Sequence, residues 1–209
     1  MSVTIIIIII TCVISIAAFQ NEDLLRKLIF SPYTIARDSS QMFRFLTSGF
    51  LHGSWIHLLL NMYVLWMFGN ITEQYFQAYL YPAGTAMFIV MYLLSIPVSE
   101  TYSFIKHRDN FRYSSLGASG AVSAVVFASI LFEPTNKLYL IFIPIGIPAF
   151  IFGPLYLAYS AYMSKQNIDN IGHDAHLWGA VFGFIFPLLF KPELALRFVA
   201  IIAEWLQVF

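Results

Sequence analysis

Long apolar stretches alternate with short polar ones along this chain, and their lengths set the expected architecture. Val3 to Phe19 carries no charge and contains an isoleucine run from Ile5 to Ile10. Trp55 to about Ile71, Pro82 to Ile105, Leu116 to Phe132, Pro148 to Met163 and Asp174 to Phe190 follow. Each approaches the roughly 20 mostly apolar residues that a helix needs to cross a hydrocarbon core. Glu73 and Gln74 read as a polar turn, and Pro97 predicts a kink in the third span. Lys106 to Ser115 reads as a charged loop, and Lys165 to Gly172 as a polar one. Pro134, Pro144, Gly146 and Pro148 break any spanning helix, so Glu133 to Ile147 is expected to form a connector at the membrane surface. Asn21 to His52 mixes Arg26, Lys27, Arg37 and Arg44 with Phe30, Tyr33, Phe43 and Phe45, which suits short helices or a structured loop at the interface. From Glu193 to Phe209 the pattern is amphipathic, with Glu193, Arg197, Glu204 and Gln207 on one stripe and Phe198, Ile202, Trp205 and Phe209 opposite.

Composition sharpens this picture. At 59% hydrophobic and 11% charged, 209 residues hold more apolar side chain than one soluble core can bury. The expected fold is therefore an all-α integral membrane protein with about six spanning helices in residues 1–190 and an amphipathic segment in 191–209. A signal peptide is the competing reading of Val3 to Phe19, but a basic n-region is missing. Zero formal charge gives no reason to expect a nucleic-acid partner, and the lone Cys12 excludes an internal disulfide.

Candidate chemistry emerges from counting spans. Helices two, four and six enter the membrane from the same side, so their first turns share one face. His57 and Asn61 lie in the opening turns of helix two, Ser119 of helix four and His176 of helix six. His57 and Asn61 are four apart and project from one helix face. Gly179 and Gly183 form a small-xxx-small pair on the face that carries His176, which lets helix six approach the Gly117-Ala118-Ser119-Gly120 entrance of helix four closely. A serine hydroxyl becomes nucleophilic when a histidine accepts its proton. Attack on a carbonyl also needs donors for the developing oxyanion, a role open to His57, Asn61 and the Ser119 N–H. Asp174, two positions before His176, points elsewhere on its helix, so no triad is assigned.

At these residues the chain resembles the rhomboid intramembrane serine proteases. The likeness covers roughly Phe43 to Gly183: Phe43-Arg44 in the first loop, His52, His57 to Asn61, Glu73, Gly117-Ala118-Ser119-Gly120, and Ala175-His176 with Gly179 and Gly183. It implies a six-helix bundle with a partly embedded first loop, a Ser119–His176 dyad acting through an acyl-enzyme, and an oxyanion hole of His57, Asn61 and Ser119. Arg44, Glu73 and the glycines are implied to be structural. Implied substrates are transmembrane segments cut near the membrane boundary, reached past helix five and a cap at Gln166 to His173; no metal or organic cofactor is implied. Two positions depart from the family pattern. Ser123 stands one turn after the nucleophile, where an aromatic ring often backs the catalytic histidine, and Phe43 replaces a tryptophan.

Other readings of the same residues stand beside this one. His52, His57, His173, Asp174 and His176 could ligate a metal, but no HExxH pair occurs and His173 fits one face with His176 poorly. His52 and His173 are expected to steady the first loop and the cap. A catalytically silent, rhomboid-like protein that binds membrane segments is the alternative of a different class. The resemblance suggests a bacterial-type cell membrane with a cytoplasmic N terminus. That orientation places only Lys137, Lys191 and Arg197 of the 11 basic residues on the cytoplasmic side, against the positive-inside tendency.

Overall fold

The computed structural model of the protein describes residues 1–140, 143–166 and 172–207. Its helices are α1 (Val3–Phe19), α2 (Glu22–Leu28), α3 (Pro32–Arg37), α4 (Arg44–Thr47), α5 (Trp55–Tyr79), α6 (Gly84–His107), α7 (Ser119–Phe132), α8 (Ala149–Gln166), α9 (His173–Phe190) and α10 (Glu193–Gln207). Single 3-10 turns flank α4. Among the described residues two helices, α6 and α9, are both long and apolar enough to cross a membrane, while α1 and α7 are apolar but shorter.

The long helices run antiparallel. The near end of the bundle collects the starts of α5, α7 and α9, where Phe19 at the end of α1 meets Trp55 with ring centroids 4.9 Å apart. Lys106, at the end of α6, pairs there with Asp174 of α9 at 3.1 Å. At the far end, Phe76 of α5 packs against Phe132 of α7 and Phe186 of α9. α10 closes that end: the Arg197 guanidinium donates to the Phe132 carbonyl and pairs with Glu133 at 3.1 Å, and Phe198 packs on Phe184. Its opposite side leaves Leu196, Val199 and Leu206 exposed.

α7 is the centre of the packing. Ala118, Ala124, Val125, Ala128 and Phe132 are fully buried, and α5, α6, α8 and α9 surround it. Gly183 brings α9 so close that a Cβ there would overlap the Ala124 backbone, so backbone meets backbone along this seam.

One expectation fails and another gains detail. Glu73 does not mark a turn: α5 continues to Tyr79, and the buried Glu73 carboxylate accepts from Val3 N, Thr4 N and Thr4 Oγ1 at 3.1, 3.1 and 3.0 Å. The first N–H groups of a helix have no partner within it, and a carboxylate at that end both accepts their hydrogens and meets the positive end of the dipole. The connector expected after α7 has regular structure of its own. It forms a two-stranded antiparallel hairpin, β1 (Lys137–Leu140) and β2 (Ile143–Pro148), pairing Lys137 with Pro148 and Leu138 with Ile147. Its prolines forbid helix and its β-branched residues favour extended backbone. Among the described residues this far-end ribbon is the one two-stranded sheet, and Pro97 is accommodated inside an unbroken α6.

Candidate active site

The entrance of α7 is built by one glycine. Gly117 adopts φ 130°, a conformation that L side chains rarely take, and its N–H donates to the Ser48 carbonyl at 3.0 Å. A β-bridge between Phe30 and Ser115 fixes the chain just before it. The helix therefore starts at Ser119, three residues later than the apolar pattern predicts, and Ser119 is its first residue. A side chain on Gly117 would meet the His57 ring at 2.9 Å (Cε1) and 3.1 Å (Nε2), and Ser119 Oγ at 3.8 Å. The imidazole of α5 and the hydroxyl of α7 thus face the same α-carbon.

The start of α9 arrives on the other side of Ser119. A Cβ on Gly120 would lie 2.7 Å from Ser99 Cβ and 3.4 Å from the Ala175 carbonyl oxygen, and a Cβ on Gly179 would overlap the Gly120 carbonyl. Ser119 directly precedes, and His176 directly follows, the residues that make this tight crossing. Both are half-buried, which leaves them open to water. His57, Ser119 and His176 thus lie at the near end of the bundle.

Hydrogen bonds settle the ring protons of the two upstream histidines. Gly53 N donates to His57 Nδ1 at 3.5 Å, a long bond, which leaves Nε2 as the protonated nitrogen on the side facing Gly117. Asn61 directs one amide hydrogen to the His57 carbonyl at 2.9 Å, leaving its second hydrogen for another acceptor. His52 packs its ring on that of His57, centroids 4.9 Å apart at 71°. Ser15 of α1 donates to the Phe50 carbonyl at 2.8 Å, so at 2.9 Å its oxygen accepts from His52 Nδ1. Burial pushes His52 down to about 3, with the neighbouring His57 ring adding to the effect, and it is neutral at physiological pH.

Other predicted residues have structural surroundings. Arg44 donates to the carbonyls of Arg26 at 2.7 Å and Ile29 at 2.9 Å and to Gln41 Oε1 at 2.9 Å, tying the first loop together. Asp174 pairs with Lys106 and accepts from Ser164. His173 is buried and its ring meets that of His176 edge to face, so its spacing from His176 does bring the two together. Of the expected cap, residues 167–171 lie outside the described residues.

Three polar groups near the site escape sequence reasoning. Tyr156 of α8 shares a 2.9 Å hydrogen bond through its hydroxyl with Ser123, the departure noted above. Ser15 acts through His52, 37 positions away. Glu100 of α6 is buried and accepts from Ser115 Oγ at 2.9 Å. Only the last left a signal, since a carboxylate inside an apolar span calls for a partner.

Comparison with known proteins identifies the family. The sequence matches the Rhomboid domain over residues 39–193. It is 33% identical over 148 residues to "Presenilin-associated rhomboid-like protein, mitochondrial" of Mus musculus, covering 66% of this chain and 35% of that protein. To "RHOMBOID-like protein 12, mitochondrial" of Arabidopsis thaliana it is 33% identical over 152 residues, 68% of this chain and 44% of the relative. The match thus spans less than half the length of these relatives. The family match takes in His57, Asn61, Ser119, His176, the glycine crossing and α5 to α9, and the chain belongs to the rhomboid family.

Proposed function

We propose that this membrane protein is an intramembrane serine endopeptidase. α1, α5, α6, α7, α8 and α9 would be its six spans, with α10 at the far-side surface. The carrying observation is the crossing of α7 and α9 at Gly120, Ala175 and Gly179, with the His57 ring over Gly117. Ser119 then stands between a candidate base on one side and a candidate oxyanion donor on the other.

In this reading His176 takes the Ser119 proton as Oγ bonds to the scissile carbonyl carbon. The oxyanion is held by His57 Nε2–H, the free Asn61 amide hydrogen and the Ser119 N–H, which belongs to the unpaired first turn of α7. Collapse expels the amine, which takes the proton from His176, and leaves an acyl-enzyme. Water then attacks the ester, His176 again accepting the proton, and Ser119 is released. Substrates would be transmembrane segments with a small residue before the cut.

The bacterial-type cell membrane with a cytoplasmic N terminus stays part of the proposal; the word mitochondrial belongs to the relatives' names. Protease accessibility of tags on the near-end loops against tags on the termini decides the orientation.

Labelling by an alkyl fluorophosphonate, together with cleavage of a synthetic transmembrane peptide, tests the activity. Wild-type protein should label and cleave, and Ser119→Ala and His176→Ala should do neither. Folded wild-type protein that binds the peptide without labelling would instead be the catalytically silent binder.

A further inference from the structure

None of the residues placed in the reaction lies on α8, yet two tyrosines of that helix close on the site. Tyr156 and Tyr159 are three apart and share a helix face. The Tyr156 hydroxyl is hydrogen-bonded to Ser123 Oγ at 2.9 Å, and Ser123 is buried one turn beyond Ser119 on α7. The Tyr156 ring also packs on Phe127 of α7, centroids 5.6 Å apart. Tyr159 meets the His173 ring at 5.7 Å and 84°, and His173 meets the His176 ring at 5.9 Å and 76°. Edge-to-face contacts at these separations are attractive and directional. His173 is 5% exposed, so its ring is held in place by what surrounds it.

The crossing of α7 and α9 explains why such supports are needed. Glycine against backbone fixes how close the two helices come, but it supplies no side chain to stop them sliding or turning against each other. Nor does it hold an imidazole at one χ angle. α8 reaches both helices: α7 through Tyr156 and Ser123, α9 through Tyr159 and His173. A third tie, from Ser164 to Asp174, closes its near end.

We propose that α8 positions the dyad, Tyr156 through Ser123 and Tyr159 through His173, so that the nucleophile and the base are in register only while α8 is seated. This rests on the Ser119–His176 reading. Tyr156, Tyr159, Ser123 and His173 are positioning residues; the reacting atoms belong to others.

The test uses the full chain in liposomes, measuring kcat and KM for a fluorogenic transmembrane peptide, its pH profile, and the fluorophosphonate inactivation rate. A misplacement of about 1 Å costs on the order of a hundredfold in rate, so partial loosening should cost about tenfold or more. His173→Ala should lower kcat and the inactivation rate by about that factor, shift the pH profile, and leave KM within about twofold. His173→Phe should recover most of kcat because it returns the ring. Ser123→Ala and Tyr156→Phe should each lower kcat, and the double variant should lose no more than either single one, since both remove the same bond. Tyr159→Phe should match wild type and Tyr159→Ala should resemble His173→Ala. The proposal is overturned if His173→Phe is as impaired as His173→Ala, if the Ser123 and Tyr156 losses multiply, or if all losses follow the thermal midpoint. Survival of activity in Ser119→Ala would instead remove the underlying dyad.

Discussion

A single methyl group at Gly179 separates the geometry of the site from the stability of the bundle. The Cβ of Gly179→Ala would lie 2.8 Å from the Gly120 carbonyl carbon and 3.0 Å from its Cα. Carbon atoms rest at roughly 3.5–4.0 Å, so α7 and α9 must part by about 1 Å. Nothing at the contact can move aside, because every atom met is backbone. Overpacking of this kind costs about 1–3 kcal/mol, of which the better helix propensity of alanine returns about 1. The stability loss should therefore stay below roughly 2 kcal/mol. Because Gly120 follows Ser119 and Gly179 lies three residues past His176, the same 1 Å falls on the proposed proton transfer and should cost about a hundredfold in rate, or about 2.7 kcal/mol. Fluorophosphonate inactivation and a thermal midpoint, both in one detergent, measure the two effects. Gly153→Ala is the control, since its nearest new contact, Phe127, lies at an ordinary 3.6 Å and should leave both quantities near wild type. The reasoning fails if Gly179→Ala reacts within threefold of wild type, or if Gly153→Ala is equally impaired.

Further expectations concern groups that hold the near and far ends. Glu73→Ala removes the acceptor of three hydrogen bonds at the start of α1, and should lower the thermal midpoint by an amount equivalent to about 2–4 kcal/mol, with Glu73→Gln intermediate. His52 titrates at about 3 when folded and near 6.5 when unfolded, so the unfolded chain binds the extra proton. The resulting stability is complete above about pH 6.5 and declines as pH falls toward 3, by about 2 kcal/mol at pH 5. Thermal midpoints of His52→Gln measured across pH 5–7 should lack that component of the slope. Glu100→Ala removes the acceptor of the half-buried Ser115 hydroxyl and should cost about 1 kcal/mol, while Glu100→Gln, which can still accept, should lie near wild type in the same melt.

How much of this was legible in the sequence depends on the range over which each residue finds its partner. That His57, Ser119 and His176 stand near helix starts was readable because such starts leave local marks, and the close approach at Gly179 and Gly183 because small residues four apart mark one. Glu73 was misread as a turn because the N–H groups it satisfies lie about 70 positions upstream, beyond any sequence window. Tyr156 was hidden for the same reason: a tyrosine in an apolar helix looks like packing until Ser123 is seen beside its hydroxyl. The hairpin was half legible. Its prolines excluded helix, but the pairing of two apolar strands is a property of the pair and not of either strand.

The brevity of α7 bears on the surrounding lipid. Its 14 residues rise about 21 Å, whereas a hydrocarbon core is about 30 Å thick. If its far end sits at one boundary, Ser119 lies on the order of 10 Å below the other unless the bilayer thins to meet it. Turnover should then vary with acyl-chain length, fastest where the lipid brings the water boundary down to the serine, and the host membrane becomes a determinant of rate alongside the protein.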